Sequence, residues 1–239
     1  MTQLNTLLNG TSALAAVVIA FITLIITAVW YKRTKNKTFI SVFFLALACV
    51  FGLMGYTLSF LSVLFFGENI LYLDFYVRLC SYSTLPVGSV AIMNVGWDMF
   101  VPSKKYKKTL LLAMAILFVF YYIVLYWDIY AVTEVSNTGG SELIDDWLVP
   151  MTIPYFIFLG GTTFTSAFLG ISFFQFFRKT SGDIRKRAII LVLASVLLGT
   201  AILMDTVLLV GVIWKDILFY PRLQVIPGLL FVLIGLKPA

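Results

Sequence analysis

Seven apolar runs, parted by short polar intervals, take up most of this chain of 239 residues. They fall at about 11–30, 39–66, 70–100, 109–131, 150–177, 188–213 and 217–236. Crossing a hydrocarbon layer of ~30 Å takes about 20 helical residues, and each run is long enough. None alternates apolar and polar residues as a strand would, so each is expected to be a helix. The pattern predicts an all-α integral membrane protein, folded as one seven-transmembrane-helix bundle over residues 1–239.

Composition agrees with the pattern. The chain is 61% hydrophobic and 12% charged, where a soluble domain is about half apolar and about a quarter charged. The net charge of +6 is therefore not a nucleic-acid signal, because the cations sit in short intervals between spans. Those intervals read "YKRTKNK", "SKKYKK" and "RKTSGDIRKR", and with Lys237 they hold fourteen of the seventeen Lys and Arg. All fall on one side. The opposite loops carry Glu68, Asp128, Glu134, Glu142, Asp145 and Asp146, with no Lys or Arg before Lys215. The positive-inside rule then puts the N-terminus outside and the C-terminus in the cytoplasm, in a multi-pass protein of the cell membrane. The same cations are expected to attract anionic lipid headgroups.

Other features refine the boundaries. Trp30, Trp97, Trp127, Trp147 and Trp214 all fall near span ends, where indole favours the headgroup level. The first span has no basic segment before it and is long, so it is expected to remain in the mature protein. The loop at about 132–149 contains "SNTGGSE" and reads as a flexible, acidic excursion. No internal repeat is evident, which speaks against an inverted-repeat transporter.

There is no histidine. The chain therefore offers no His-ligated haem, copper or zinc, no His general base and no Ser-His-Asp arrangement. Cys49 and Cys80 lie inside apolar runs and read as buried thiols acting as small hydrophobes. No GxGD-type pair or cluster of metal-binding carboxylates appears, so no catalytic residue, metal site or cofactor is assigned and an enzyme is not expected.

Charges inside the spans are the candidate chemistry. Asp74 and Arg78 lie four residues apart and share a helix face. At 1.5 Å per residue, Arg78 and Asp205 each lie roughly 12 Å below the non-basic surface, and Arg222 roughly 8 Å. Tyr82, Tyr220 and Gln224 are at similar depth. A lone charge there costs a few kcal/mol, so these residues are expected to face the bundle interior and to meet one another. Three readings stay open: an interhelical ion-pair latch; a pocket where an Arg binds a small anionic or lipid-like ligand; and an ion path, for which the inner half offers mainly Asn94 and Gln175. Pro86 and Gly88 in "STLPVGS" should bend the third span and free the carbonyl of Tyr82. "FLGGTTFTSAFLG" is rich in small residues that permit close helix packing, with a hinge or pocket lining as the alternative role, and Pro227 with Gly228 could kink the last span.

The order of these features resembles the seven-transmembrane N-terminal sensor region of histidine kinases. "YVRLCSYSTLP" matches that region's aromatic–x–Arg entry to the third span with a proline beyond it. "DIRKRAIILVLASVLLG" matches its basic entry to the sixth span, and "QVIPGLLFVLIGL" its proline-containing last span. The resemblance implies a bundle that senses an extracellular or membrane signal and passes it through the last helix. No kinase, coiled coil or PAS-like domain follows "GLKPA", so the expected role is a receptor-like module that signals through a separate membrane or cytoplasmic protein partner. The alternatives are a non-catalytic accessory subunit of a larger membrane complex and, behind it, a small transporter. A covalent retinal protein is set aside, because the last span has no lysine at its middle.

Overall fold

A computed structural model describes residues 3–70, 73–100, 104–135, 143–144, 146–205 and 219–238. The described residues are 88% helical, and among them six helices are long and apolar enough to cross a membrane. These are α1 (Gln3–Thr34), α2 (Thr38–Phe66), α5 (Lys104–Trp127), α7 (Ile153–Lys179), α8 (Gly182–Leu203) and α9 (Phe219–Leu236). They make an all-α, multi-pass membrane protein.

The third apolar run is divided into α3 (Leu73–Ser83) and α4 (Leu85–Phe100), each short of a full crossing. The cause is Pro86, which has no N–H and whose ring crowds the carbonyl four residues back. That carbonyl belongs to Tyr82, and it accepts the phenol of Tyr121 at 3.1 Å. The next one, on Ser83, accepts the phenol of Tyr122 at 2.6 Å. The bend thus stays satisfied without water. The helix resumes with the Gly88 amide donating to Thr84 at 3.0 Å. The two pieces run antiparallel beside α2. A Cβ on Gly55 would stand 2.6 Å from the Cα of Val77, one on Gly88 3.1 Å from the Cβ of Ala48, and Asn94 donates to Ser41 at 2.9 Å.

Helices α1, α2, α4, α7, α8 and α9 close a ring in which each packs on the next, and α5 lies outside it against α7 and α4. The main core lies inside the ring and is built of aliphatic side chains such as Leu45, Leu53, Ile92, Leu198 and Leu229, with Phe173. Small residues set the closest approaches. A Cβ on Gly228 would meet Leu198 at 2.8 Å, and one on Gly199 would meet Ser166 at 2.7 Å. Of the "FLGGTTFTSAFLG" segment, Ser166 and Gly170 serve this packing, whereas Gly160 meets nothing within 4 Å.

The bundle has two unlike ends. One is basic: Lys32 and Arg33 end α1, Arg178 and Lys179 end α7, and Arg187 donates to the carbonyl of Lys237 at 2.7 Å. The other is capped by the segment expected to be a flexible excursion, and its described part is folded down. Its first turn is α6 (Ile129–Val132), followed by β1 (Thr133–Val135), which pairs antiparallel with β2 (Asp146–Leu148). Between the strands, Leu143 packs with Tyr56 and Phe60, Ile144 with Leu73 and Val77, and the Ile144 amide donates to Ser59 at 2.9 Å. Burying those two side chains offsets the cost of ordering the segment. The tip, 136–142, lies outside the described residues. So does Trp214. Trp127 stands 86% exposed, as a headgroup-level indole should, but Trp97 turns inward and stacks on Phe168 at 5.8 Å.

Candidate functional site

The ring is not filled at the hairpin end. A cavity of about 120 Å3 lies there, walled by α2, the α3–α4 bend, α7, α8 and α9, with Asp146 of β2 at its rim. Its lower wall is apolar, with Leu45, Ile92 and Val225. Its upper wall holds Tyr56, Asp205 and Arg222.

Arg222 is brought there by the first turn of α9, next to Pro221. Its Nε donates to Oδ1 of Asp205 at 3.1 Å. Its guanidinium lies 3.6 Å from the ring centroid of Tyr56. With Arg222 only 3% and Asp205 19% exposed, the pair is withdrawn from solvent. The helix α8 loosens into a wider, π-type turn at Met204 and Asp205, the kind of local irregularity that re-aims a side chain. A buried charge is tolerated only when paired and hydrogen-bonded. Here a carboxylate and an aromatic face serve the guanidinium together.

Arg78 goes elsewhere. It is 7% exposed, and its Nη1 donates to both the backbone oxygen and the Oγ1 of Thr133, the latter at 2.7 Å. Its guanidinium lies 5.0 Å from the Tyr130 ring centroid. Thr133 is itself fixed, since its hydroxyl donates to Ile129 at 2.5 Å. Arg78 therefore ties α3 to the hairpin and is not among the cavity-lining residues. Ser81, one turn on, makes a second tie by donating to Asp146 at 3.2 Å.

The remaining candidates divide in the same way. Tyr82 lines the cavity, fully buried, with its ring edge-on to Phe158 at 6.1 Å. Gln224 stands off the cavity and accepts from Thr200 at 3.0 Å, joining α8 to α9. Tyr220 is 57% exposed and stacks on Phe219. Asp74 is half-buried and, among the described residues, makes no hydrogen bond or ion pair; the i, i+4 partner expected for it is engaged with Thr133. The structure thus joins Asp205, Arg222 and Tyr82 at one cavity and sends Arg78 to the hairpin.

Several lining residues escaped the sequence reading: Tyr56, Ser81, Thr84 and Ser89; Thr162 and Ser166 lie in the segment for which pocket lining was the alternative to packing. Hydroxyls are common in apolar spans and carry little signal alone. One spacing was available: Thr162, Thr165 and Ser166 repeat at the interval of one helix face. Cys49 also lines the cavity, and both cysteines are free thiols. Among the described residues no group of three acidic or cysteine side chains could hold a metal ion. No family model, no curated protein and no solved structure matches this chain.

Proposed function

We propose that this chain is a receptor-like, seven-helix sensor module of the cell membrane. In this reading α3 and α4 together make the seventh crossing. The hairpin end faces outside with the N-terminus, the basic end faces the cytoplasm with the C-terminus, and the cavity sits in the outer half of the bundle. A small or lipid-like ligand binds in the cavity, and the response passes to a separate partner. The module is non-catalytic and needs no cofactor.

The observation that carries the reading is the cavity with a charged wall on one side and an apolar wall on the other. Binding sites for small molecules have that composition: a mostly apolar cleft with a few convergent polar groups. The cavity also touches the helix best placed to respond. Arg222 and Val225 line it, and Pro227 follows within the same helix. Proline removes one backbone bond from that turn and softens it. The far end of α9 is tied to α8 through Arg187 and Lys237. A ligand that displaces Arg222 therefore moves one end of a helix whose other end lies among the basic residues, which anionic headgroups hold at the surface.

Gly52 provides the test. It lines the cavity, and a Cβ there would meet only Thr84 Oγ1, at an unstrained 3.7 Å. Gly52→Leu should fill the cavity without displacing a helix. The protein, purified in mild detergent, should carry a small organic molecule at about one per chain, read by mass spectrometry of the extract, and Gly52→Leu should lack it. Retention of the same molecule by Gly52→Leu would refute the site.

The accessory-subunit reading draws on a different observation. Helix α5 packs lightly and turns Leu112, Ile116, Val119, Phe120 and Ile123 outward. Stoichiometric membrane subunits co-purifying with a ligand-free chain would favour it.

A further inference from the structure

Among the described residues, the buried hydroxyl groups of this bundle are hydrogen-bonded, with an exception at the cavity. A Ser or Thr in a membrane helix has no water to bond, so its hydroxyl returns to a carbonyl of its own helix. Thr23, Thr27, Thr57, Thr165, Ser172 and Ser195 all do so, at 2.7 to 2.9 Å. Ser59 and Ser62 of α2 instead donate to the segment that follows the helix, and four hydroxyls that line one cavity do neither: Thr84 and Ser89 at the α3–α4 bend, and Thr162 and Ser166 on α7. Among the described residues none of the four has a hydrogen-bond partner, and all four line the same cavity. Thr162 is the sharpest case. It is only 3% exposed, and its Oγ1 is buried and unsatisfied, although the neighbouring Thr165 on the same helix bonds back to Gly161.

Leaving a buried hydroxyl unmade costs about 1–3 kcal/mol. Thr162 is that case, and with Thr84, Ser89 and Ser166 on the same cavity it makes a set of donors and acceptors held ready for something that occupies it. Resting on the sensor reading above, we infer that the cavity's ligand is a neutral, oxygen-bearing amphiphile whose hydroxyl or carbonyl groups bond Thr84, Ser89, Thr162 and Ser166. Charge argues against an anion. Among the described lining residues Arg222 is the only cation, and it is already engaged by Asp205 and by the face of Tyr56. The hydroxyls themselves favour uncharged partners that both give and accept. Leu45, Phe158 and Val225 supply surface for an apolar body. Size sets a bound: at about 10–15 Å3 per water-sized position, a cavity of about 120 Å3 takes about ten non-hydrogen atoms. That is far smaller than a phospholipid.

The test compares probes of one shape and different charge. Thermal unfolding in detergent is followed for the wild type and for a Ser89→Ala/Thr162→Val/Ser166→Ala variant. Cyclohexanedimethanol, cyclohexanecarboxylate and cyclohexylmethylammonium are each added in turn. The diol should raise the wild-type Tm by about 3–6 °C at a ten-fold excess over its Kd, and the two ions should not. The variant should bind the diol at least about ten-fold more weakly. Thr162→Val alone should leave the probe-free Tm unchanged or raised, because it replaces an unsatisfied hydroxyl with a methyl of the same shape. Should the triple variant not fold, the same comparison is made with Thr162→Val and Ser89→Ala singly.

The inference is overturned by an equal diol response in the variants. It is overturned also by a several-degree fall in Tm from Thr162→Val, which would make that hydroxyl structural. A response to the carboxylate with none to the diol sinks the neutral ligand and leaves the sensor reading standing. If no probe moves the wild type, the hydroxyls serve ordered water and both readings fall.

Discussion

Asp205→Ala removes the carboxylate that Arg222 faces at 3.1 Å. The guanidinium is 3% exposed, so solvent cannot simply replace the lost partner. Breaking a buried pair by deleting one member costs about 3–5 kcal/mol, because the other charge is stranded. Tyr56 remains under the guanidinium and returns about 1–2 kcal/mol of that. The expected net loss is about 1–4 kcal/mol, or ~2–16 °C in Tm for a chain of this size. Removing both charges with Asp205→Leu/Arg222→Met should recover most of it, since a packed apolar pair of similar volume is often as stable as the ions it replaces. The assay is equilibrium unfolding in mixed detergent micelles for the two single variants and the double. A loss below about 1 kcal/mol for Asp205→Ala, or a double variant no better than the worse single, would show that the pair is not the structural unit described.

Three further outcomes are expected. Tyr121→Phe leaves the carbonyl of Tyr82 without its phenol donor and should cost about 1–3 kcal/mol in the same assay; a neutral effect would mean that the α3–α4 bend is satisfied some other way. Gly55→Ala drives a methyl to 2.6 Å from the backbone of Val77 and should cost about 1–3 kcal/mol, whereas Gly160→Ala, with open space around it, should be neutral or stabilising. Thr133→Val deletes one acceptor of Arg78 and should speed amide exchange in β1 and β2 by about ten-fold or more, with no change in α8 or α9; unchanged exchange would remove the latch.

The apolar runs were legible because length and hydropathy suffice to find a spanning helix. Pro86 was equally legible: the clash it imposes falls on a known carbonyl, and that carbonyl, on Tyr82, is the one Tyr121 reaches. Arg78 shows the limit. Residue spacing converts to depth at 1.5 Å per residue, and depth put Arg78 level with Asp205. Whether two level side chains meet also depends on azimuth around each helix, which depth leaves open. Arg78 points to Thr133, on a loop that polar composition described only as an excursion. That loop hides its order in isolated positions, Leu143, Ile144 and Leu148, too few to set a period. The hydroxyls were illegible for another reason. Thr162 and Thr165 look alike in sequence, and only the bonding of one and not the other separates them.

The central claim is that the cavity beside Asp205 and Arg222 is a ligand site. The direct measurement is an experimental density map of the chain in lipid nanodiscs, taken without added ligand and again with the molecule recovered from the purified protein. The account predicts ordered density between Thr162, Ser89 and the Asp205–Arg222 pair in the second map. Helices closed over an empty or side-chain-filled space in both maps, with Arg222 turned toward lipid headgroups, would contradict it.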